Sequence, residues 1–280
     1  MRVLRYVSDL HLEFQPSILH PKIQSLWDSK PPGSYYLALL GDICNPFHVN
    51  FDAFLERVSP CYDAVFYIPG NHEYYNIDTW FPYNEFKRKM RESCLKYNIK
   101  LLDNESVNVE EFKVIGSTLW SYVPDIHKEE VGMKLNDYRL ITTFSGEPIT
   151  VKKTNKWNEK AVKFIEKELK DSSEKVCLER KCIVLTHHAP LFSDPEKGFY
   201  TANKKFLWSS TNCAFHNDLS RLMKSPIVAW LYGHTHYASK FEYNGVTIAT
   251  NQLGYNYEVE TGFNPYAYLD LDVLVRKGIS

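Results

Sequence analysis

Five short clusters of aspartate, asparagine and histidine punctuate this chain: Asp9-Leu10-His11, Gly41-Asp42, Gly70-Asn71-His72-Glu73, His187-His188 and Gly233-His234-Thr235-His236. Carboxylate and imidazole donors together suit manganese, iron or zinc, whereas an all-oxygen set would point to magnesium or calcium. No cysteine belongs to the set, which argues against a structural zinc site. One ion would have its coordination sphere closed by so many donors. Two ions sharing them keep positions open for water and substrate, as hydrolysis requires, with the metals about 3.5–4 Å apart. Asp42 stands alone on its loop, so it is the candidate to bridge the pair. Any one cluster taken singly is more readily explained as hydrogen-bonded structure. The weight lies in five of them with compatible chemistry.

Each cluster follows an apolar run that reads as a strand: residues 3–7, 35–40, 64–68, 183–185 and 227–232. Runs of about five apolar residues suit strands buried on both faces. Ligand sites of α/β sheets gather beyond the carboxyl ends of such strands, so side chains far apart in sequence can converge there. Phe51, Phe54, Leu55 and Val58 fall at helical spacing, 81–97 reads as an amphipathic helix, and 155–170 places Trp157, Ala161, Phe164, Ile165 and Leu169 on one face. Residues 171–180 are polar and read as a surface loop. Residues 107–109 and 112–115 are candidates to pair as strands, and Asn244-Gly245 between apolar runs predicts a hairpin. No repeat, low-complexity tract or linker interrupts the chain. It is expected to form one domain over 1–280, with the middle segment, 103–153, as an elaboration over one edge.

The bulk properties narrow the field further. Among 280 residues, 33 basic and 34 acidic side chains leave a net charge of −1, which suggests neither a nucleic-acid stripe nor an anionic membrane as partner. The pairs Lys152-Lys153 and Lys204-Lys205 are too slight to change that reading. Aromatic residues are 15% of the chain, read mainly as core packing. Cys44, Cys61, Cys94, Cys177, Cys182 and Cys213 contain no C-x-x-C pair, and no apolar stretch approaches a membrane span. A reduced, soluble, cytoplasmic protein is expected.

The ordered set Asp9-x-His11, Gly41-Asp42, Gly70-Asn71-His72-Glu73, His187 and Gly233-His234-x-His236 resembles the calcineurin-like metallophosphoesterase superfamily. The resemblance implies an α/β fold, a four-layer αββα sandwich of two mixed β-sheets flanked by helices. It implies that Asp9, His11 and His236 hold one divalent ion, that Asn71, His187 and His234 hold a second, and that Asp42 bridges them. His72 would face the substrate as the catalytic histidine. Relatives with a similar His-His-x-Pro block use the first histidine as ligand, which favours His187 and leaves His188 behind the ligands or near the substrate. The implied activity is hydrolysis of a phosphate ester, with hydroxide generated between two Mn, Fe or Zn ions attacking phosphorus in line.

Segments 116–120, 136–138 and 251–255 are similar to a branch of single-domain phosphohydrolases. Phosphoprotein phosphatases carry an arginine shortly after Gly-Asp; here the chain continues Ile43-Cys44-Asn45-Pro46, which argues against that substrate class. A small phosphorylated compound, a nucleotide among the options, is expected instead, with no stable nucleic-acid partner and no membrane. Monoester and diester both remain open. Tyr74 and Tyr75 are candidates to stack on a substrate ring, with packing as the alternative. Asn136 and Tyr138 are candidates for the pocket mouth, with plain loop structure as the alternative. Two other functions stay in view: a nuclease with the same chemistry, and a non-catalytic scaffold on the same fold. The intact donor set disfavours the scaffold.

Overall fold

The structure, a computed structural model, describes residues 1–15, 17–28, 33–77, 80–174, 180–258 and 261–277. The strands are β1 (Arg2–Val7), β2 (Ser34–Leu40), β3 (Ala64–Ile68), β4 (Lys100–Leu101), β5 (Glu105–Val109), β6 (Phe112–Ser117), β7 (Lys181–Thr186), β8 (Ile227–Tyr232), β9 (Ser239–Tyr243), β10 (Val246–Thr250) and β11 (Tyr268–Asp270). One sheet has the order β11-β1-β2-β3-β4 and the other β5-β6-β7-β8-β10-β9. Both are mixed. In the first, β11 runs antiparallel to β1 while β1 to β4 are parallel; in the second, β5 and β9 are antiparallel edges on a parallel centre.

The period-two geometry of a strand explains why these runs are apolar throughout. Leu4 and Tyr6 of β1 join Ala38, Phe66, Leu185, Ala229 and Leu231 in the layer between the two sheets. Val3 and Val7, pointing the other way, pack under Phe51, Phe54, Leu55 and Met90 from the helices Val49–Val58 and Tyr83–Lys96. The outer face of the second sheet is covered by Ala161, Ile165 and Leu169 of the helix Val151–Glu174. Both faces of the central strands are therefore covered, and full burial of each large apolar side chain contributes roughly 1.5–3 kcal/mol. The result is the helix–sheet–sheet–helix sandwich that the resemblance implied.

Most sequence-level boundaries hold within a few residues, with three differences. The helix expected over 155–170 runs from Val151 to Glu174, so residues 171–174 of the expected loop are helical; residues 175–179 of it lie outside the described set. Segment 103–153 is not simply laid over an edge. Its first part supplies β5 and β6, and β6 pairs with β7 inside the second sheet. β11 and the helix Leu271–Arg276 carry too short a pattern to be read beforehand; β11 has three residues, of which only Leu269 is buried. The Asn-Gly hairpin forms as expected. Asn244 and Gly245 both have positive φ, 50° and 80°, and Tyr243 faces Val246. Among the described residues no helix is long and apolar enough to cross a membrane.

Candidate functional site

β1, β2 and β3 are parallel neighbours in one sheet, and β7 and β8 are parallel neighbours in the other. The five polar clusters leave their carboxyl ends at the same end of the sandwich. Loop-to-loop hydrogen bonds bind them: Asp9 N–H donates to Gly41 C=O (3.0 Å), His11 N–H to Asp42 C=O (3.0 Å), and Gly233 N–H to His187 C=O (2.9 Å). The arrangement forces strained backbone. Asp9, His11, Asp42, His234 and His236 have φ of 54°, 46°, 52°, 74° and 47°. The left-handed region costs a non-glycine residue about 1 kcal/mol or more. Such strain persists only where surrounding contacts over-determine it.

The glycines of the motifs are explained by proximity. A β-carbon on Gly70 would lie 2.2 Å from Asp42 Oδ1 and 2.6 Å from its backbone nitrogen; one on Gly41 would lie 2.3 Å from His187 Nδ1. Gly70→Ala is therefore expected to destabilise the protein by about 2–3 kcal/mol, the upper range for overpacking a buried site. A thermal melt of the metal-free protein tests this, and a melting temperature equal to wild type would contradict so close an approach.

Three donor groups result among the described residues; one of them, His11, Glu13 and His72, shares His11 with the first of the two described next. Asp9, His11 and His236 present ligand atoms within 4.8 Å of one another, and so do Asp42, His187 and His234. In the first group His11 Nε2 and His236 Nε2 face each other at 3.1 Å, with Asp9 Oδ1 3.3 Å from the latter. In the second, His187 Nε2 lies 3.4 Å from Asp42 Oδ1 and 3.0 Å from Asn71 Oδ1. Buried His234 Nε2 has no hydrogen-bond partner among the described residues.

The electrostatics match the geometry. Burial opposes charge on Asp9 and Asp42, but His236 outweighs it at Asp9 and His187 with His72 outweigh it at Asp42, so both carboxyls titrate below their ordinary value. Burial likewise opposes a proton on His187 and His236. Asp42 nevertheless lifts His187 to about 9, and Asp9 with Glu258 lifts His236 to about 10. Burial, followed by neighbouring histidines, pushes His234 and His11 down, leaving lone pairs free to ligate. Two buried carboxylates thus draw positive charge into a nest of imidazoles. Divalent cations would take over the part those protons play, so the donor set fits them.

Buried partners aim these donors, and the sequence did not announce them. Glu73 accepts from Asp42 N–H (3.0 Å), Gly70 N–H (2.8 Å), Ile43 N–H (2.8 Å) and Tyr67 O–H (2.7 Å), stitching the second and third loops together. Burial and the nearby Asp42 raise its pKa to about 7. Asp137 accepts from the Asn71 amide (2.9 Å) and from Tyr75 O–H (2.5 Å), which turns the Asn71 oxygen toward His187. Glu258 lies 2.5 Å from His236 Nδ1, so Nε2 of that ring is left facing the donors. Of these, Glu73 closed the cluster Gly70-Asn71-His72-Glu73 and Asp137 sat between Asn136 and Tyr138, both singled out beforehand with no role given to either, whereas Glu258 lay in no such segment.

The donors open on a cleft of about 360 Å³ whose lining includes Asp42, His72, His234, His236, Asn136 and Tyr255. His72 has Nδ1 3.5 Å from Glu13 Oε1 and Nε2 3.0 Å from the Tyr255 hydroxyl. Tyr74 is not brought to the cleft: it is fully buried and stacked on Tyr83 at 4.2 Å, because the turn after Asn71 points it into the first helix layer. Tyr75 lines the cleft in its place. His188 lies behind the cleft, stacked on His234 at 4.0 Å with Nδ1 2.8 Å from Ser121 Oγ. Tyr138 packs between helix layers and bonds Thr154, while Asn136 reaches the mouth.

Residues 4–238 match the sequence description of the calcineurin-like phosphoesterases. The chain belongs to that family. Calcineurin-like phosphoesterases hydrolyse phosphate esters with divalent metal ions, and the two donor groups lie within the matched residues. A protein designated L509 from Acanthamoeba polyphaga mimivirus is 48% identical over 285 residues, covering 98% of this chain and 99% of that one. Among solved structures, the phosphopantetheinyl hydrolase of Mycobacterium tuberculosis superposes with a TM-score of 0.67 at 17% identity, over 91% of this chain and 90% of that one. A dimetal phosphatase from Danio rerio gives 0.50 at 14% identity, over 90% and 87%. At these identities the two structures establish the shared fold of this phosphoesterase and nothing finer.

Proposed function

We propose that this phosphoesterase uses two divalent cations to hydrolyse a small phosphorylated compound, and that it acts as one domain over 1–280. The reading is carried by one observation: two donor groups, Asp9/His11/His236 and Asp42/His187/His234 with Asn71, lie beside a single cleft that His236 of the first and Asp42, Asn71 and His234 of the second line. Asp42 is assigned as the bridge, because its backbone carbonyl accepts from His11 N–H of one group (3.0 Å) while its carboxylate lies 3.4 Å from His187 Nε2 of the other. Mixed carboxylate and imidazole donors favour Mn, Fe or Zn. A cleft of about 360 Å³ is at the small end of ligand pockets and suits a small substrate.

Bound there, the cations supply a nucleophile at neutral pH and offset charge on phosphoryl oxygens. The chain's own part is to orient and to donate. Glu13 faces Nδ1 of His72 and directs Nε2 to the cleft, where it donates to a phosphoryl oxygen or hands a proton to the leaving oxygen. Asp137 and Glu258 hold Asn71 and His236 in the rotamers that point their donors inward.

The test is a panel of p-nitrophenyl phosphate, bis-p-nitrophenyl phosphate, cyclic nucleotides and dinucleoside polyphosphates assayed with added manganese. Turnover of at least one, lost on chelation and restored by metal, is expected. Protein that carries both cations and turns over none of these esters would count against the hydrolase reading. The mono- and diester members of the panel separate the two activities.

A further inference from the structure

The loop after β10 runs across the mouth of both donor groups, and its contacts are more specific than a covering loop needs. Glu258 accepts from Tyr255 N–H (2.8 Å) while it faces His236 Nδ1, so the turn Gly254–Glu258 is latched to a candidate ligand. Gly254 N–H donates to Asp9 C=O (3.0 Å), and a β-carbon on Gly254 (φ 75°) would lie 2.6 Å from Glu258 Oε2. The Tyr255 ring is stacked against two others, His11 at 4.4 Å and 24° and Tyr257 at 5.3 Å and 20°. A ring packed in this way offers a ligand its edge. That edge carries the hydroxyl, which lines the cleft 3.0 Å from His72 Nε2.

We infer that Tyr255 is a second substrate-binding donor of the reaction site, its hydroxyl sharing one non-bridging phosphoryl oxygen with His72 Nε2. Two donors about 3 Å apart that face the same cleft can both lie 2.7–3.1 Å from a single oxygen, the distance required of an oxyanion-stabilising pair. The clamp by His11 and Tyr257 fixes the hydroxyl before substrate arrives, so little reorganisation is needed as phosphoryl charge develops. Between substrates the two donors satisfy each other. The inference rests on the hydrolase reading above.

Tyr255→Phe keeps the ring and its two stacks and removes only the hydroxyl. On an ester that wild type turns over, the variant is expected to lower kcat by about 10²-fold, the scale for one lost oxyanion donor. Metal content and melting temperature should stay at wild-type values, and inhibition by orthovanadate, a tetrahedral oxyanion, should weaken. Orthovanadate inhibition should weaken again when Tyr255→Phe is added to His72→Ala. Wild-type kcat and orthovanadate inhibition in Tyr255→Phe would overturn the inference and leave the hydrolase reading standing. So would an effect that vanishes in the His72→Ala background, because Tyr255 would then act only by positioning His72. Inactivity of the metal-loaded wild type on every ester would remove both.

Discussion

Asp42→Asn is expected to weaken binding of both cations and to reduce turnover by at least about 10³-fold, equivalent to about 4 kcal/mol of lost charge stabilisation. The substitution is nearly isosteric. An asparagine oxygen can still accept the hydrogen bond that Asp42 Oδ1 takes from His72 N–H at 2.8 Å, so the loop has reason to keep its shape. What is lost is one negative charge in a place where nothing substitutes for it. Asp42 is 2% exposed, and its charge acts on members of both donor groups. Metal analysis by mass spectrometry on wild type and variant reads the effect directly. Loss of one ion with the other at full occupancy would place Asp42 in a single group and end its assignment as the bridge.

His72→Ala is expected to separate chemistry from metal binding. Turnover should fall by about 10²–10⁴-fold, the range for removing a positioned general acid or base, while metal content stays near wild type. The reason is where the ring points. Its Nδ1 faces Glu13, its Nε2 faces Tyr255 and the cleft, and its ring packs at a tilt of 32° against Tyr75 at 4.1 Å. The carboxylate of Glu13 lies between His72 and His11, 3.5 and 3.6 Å from their Nδ1 atoms. Removing one imidazole leaves that buried acid with a single histidine neighbour, so a modest loss of stability accompanies the loss of rate. Unchanged turnover would remove His72 from the mechanism. Loss of metal together with activity would instead make it part of the ligand shell.

The two experiments also discriminate between enzyme and scaffold. A scaffold would bind metal through the same donors, so Asp42→Asn would alter its metal content as well. Only an enzyme gives His72→Ala a rate to lose.

Local pattern was enough to find the strands that carry the site, β1, β2, β3, β7 and β8, because each is buried along nearly its whole length and so reads as a short apolar run with glycine, proline or serine close after its end. It was enough to find the donors too, since Asp9, Asp42, Asn71, His187, His234 and the rest stand directly at those ends. It failed where a residue's place depends on what lies across the fold. Tyr74 and Tyr75 are adjacent in sequence, yet one is buried against Tyr83 and the other lines the cleft. Nothing in a Tyr-Tyr pair says which way the turn will rotate it. His187 and His188 pose the same problem at the end of β7, and their division depends on neighbours, Asp42 and Asn71 for one and Ser121 for the other.

The residue types and their positions at strand ends, then, were enough to indicate the kind of ion the donors suit and the family, and through that resemblance the layered fold. Those properties are written in short segments, where periodicity and ligand chemistry are local. Tertiary structure alone decided what holds the donors in aim. Asp137 reaches Asn71 from 66 positions away, and Tyr255 reaches His72 from 183. A hydrogen bond between such distant residues leaves no mark on the sequence around either one, because its geometry exists only after both sheets have packed.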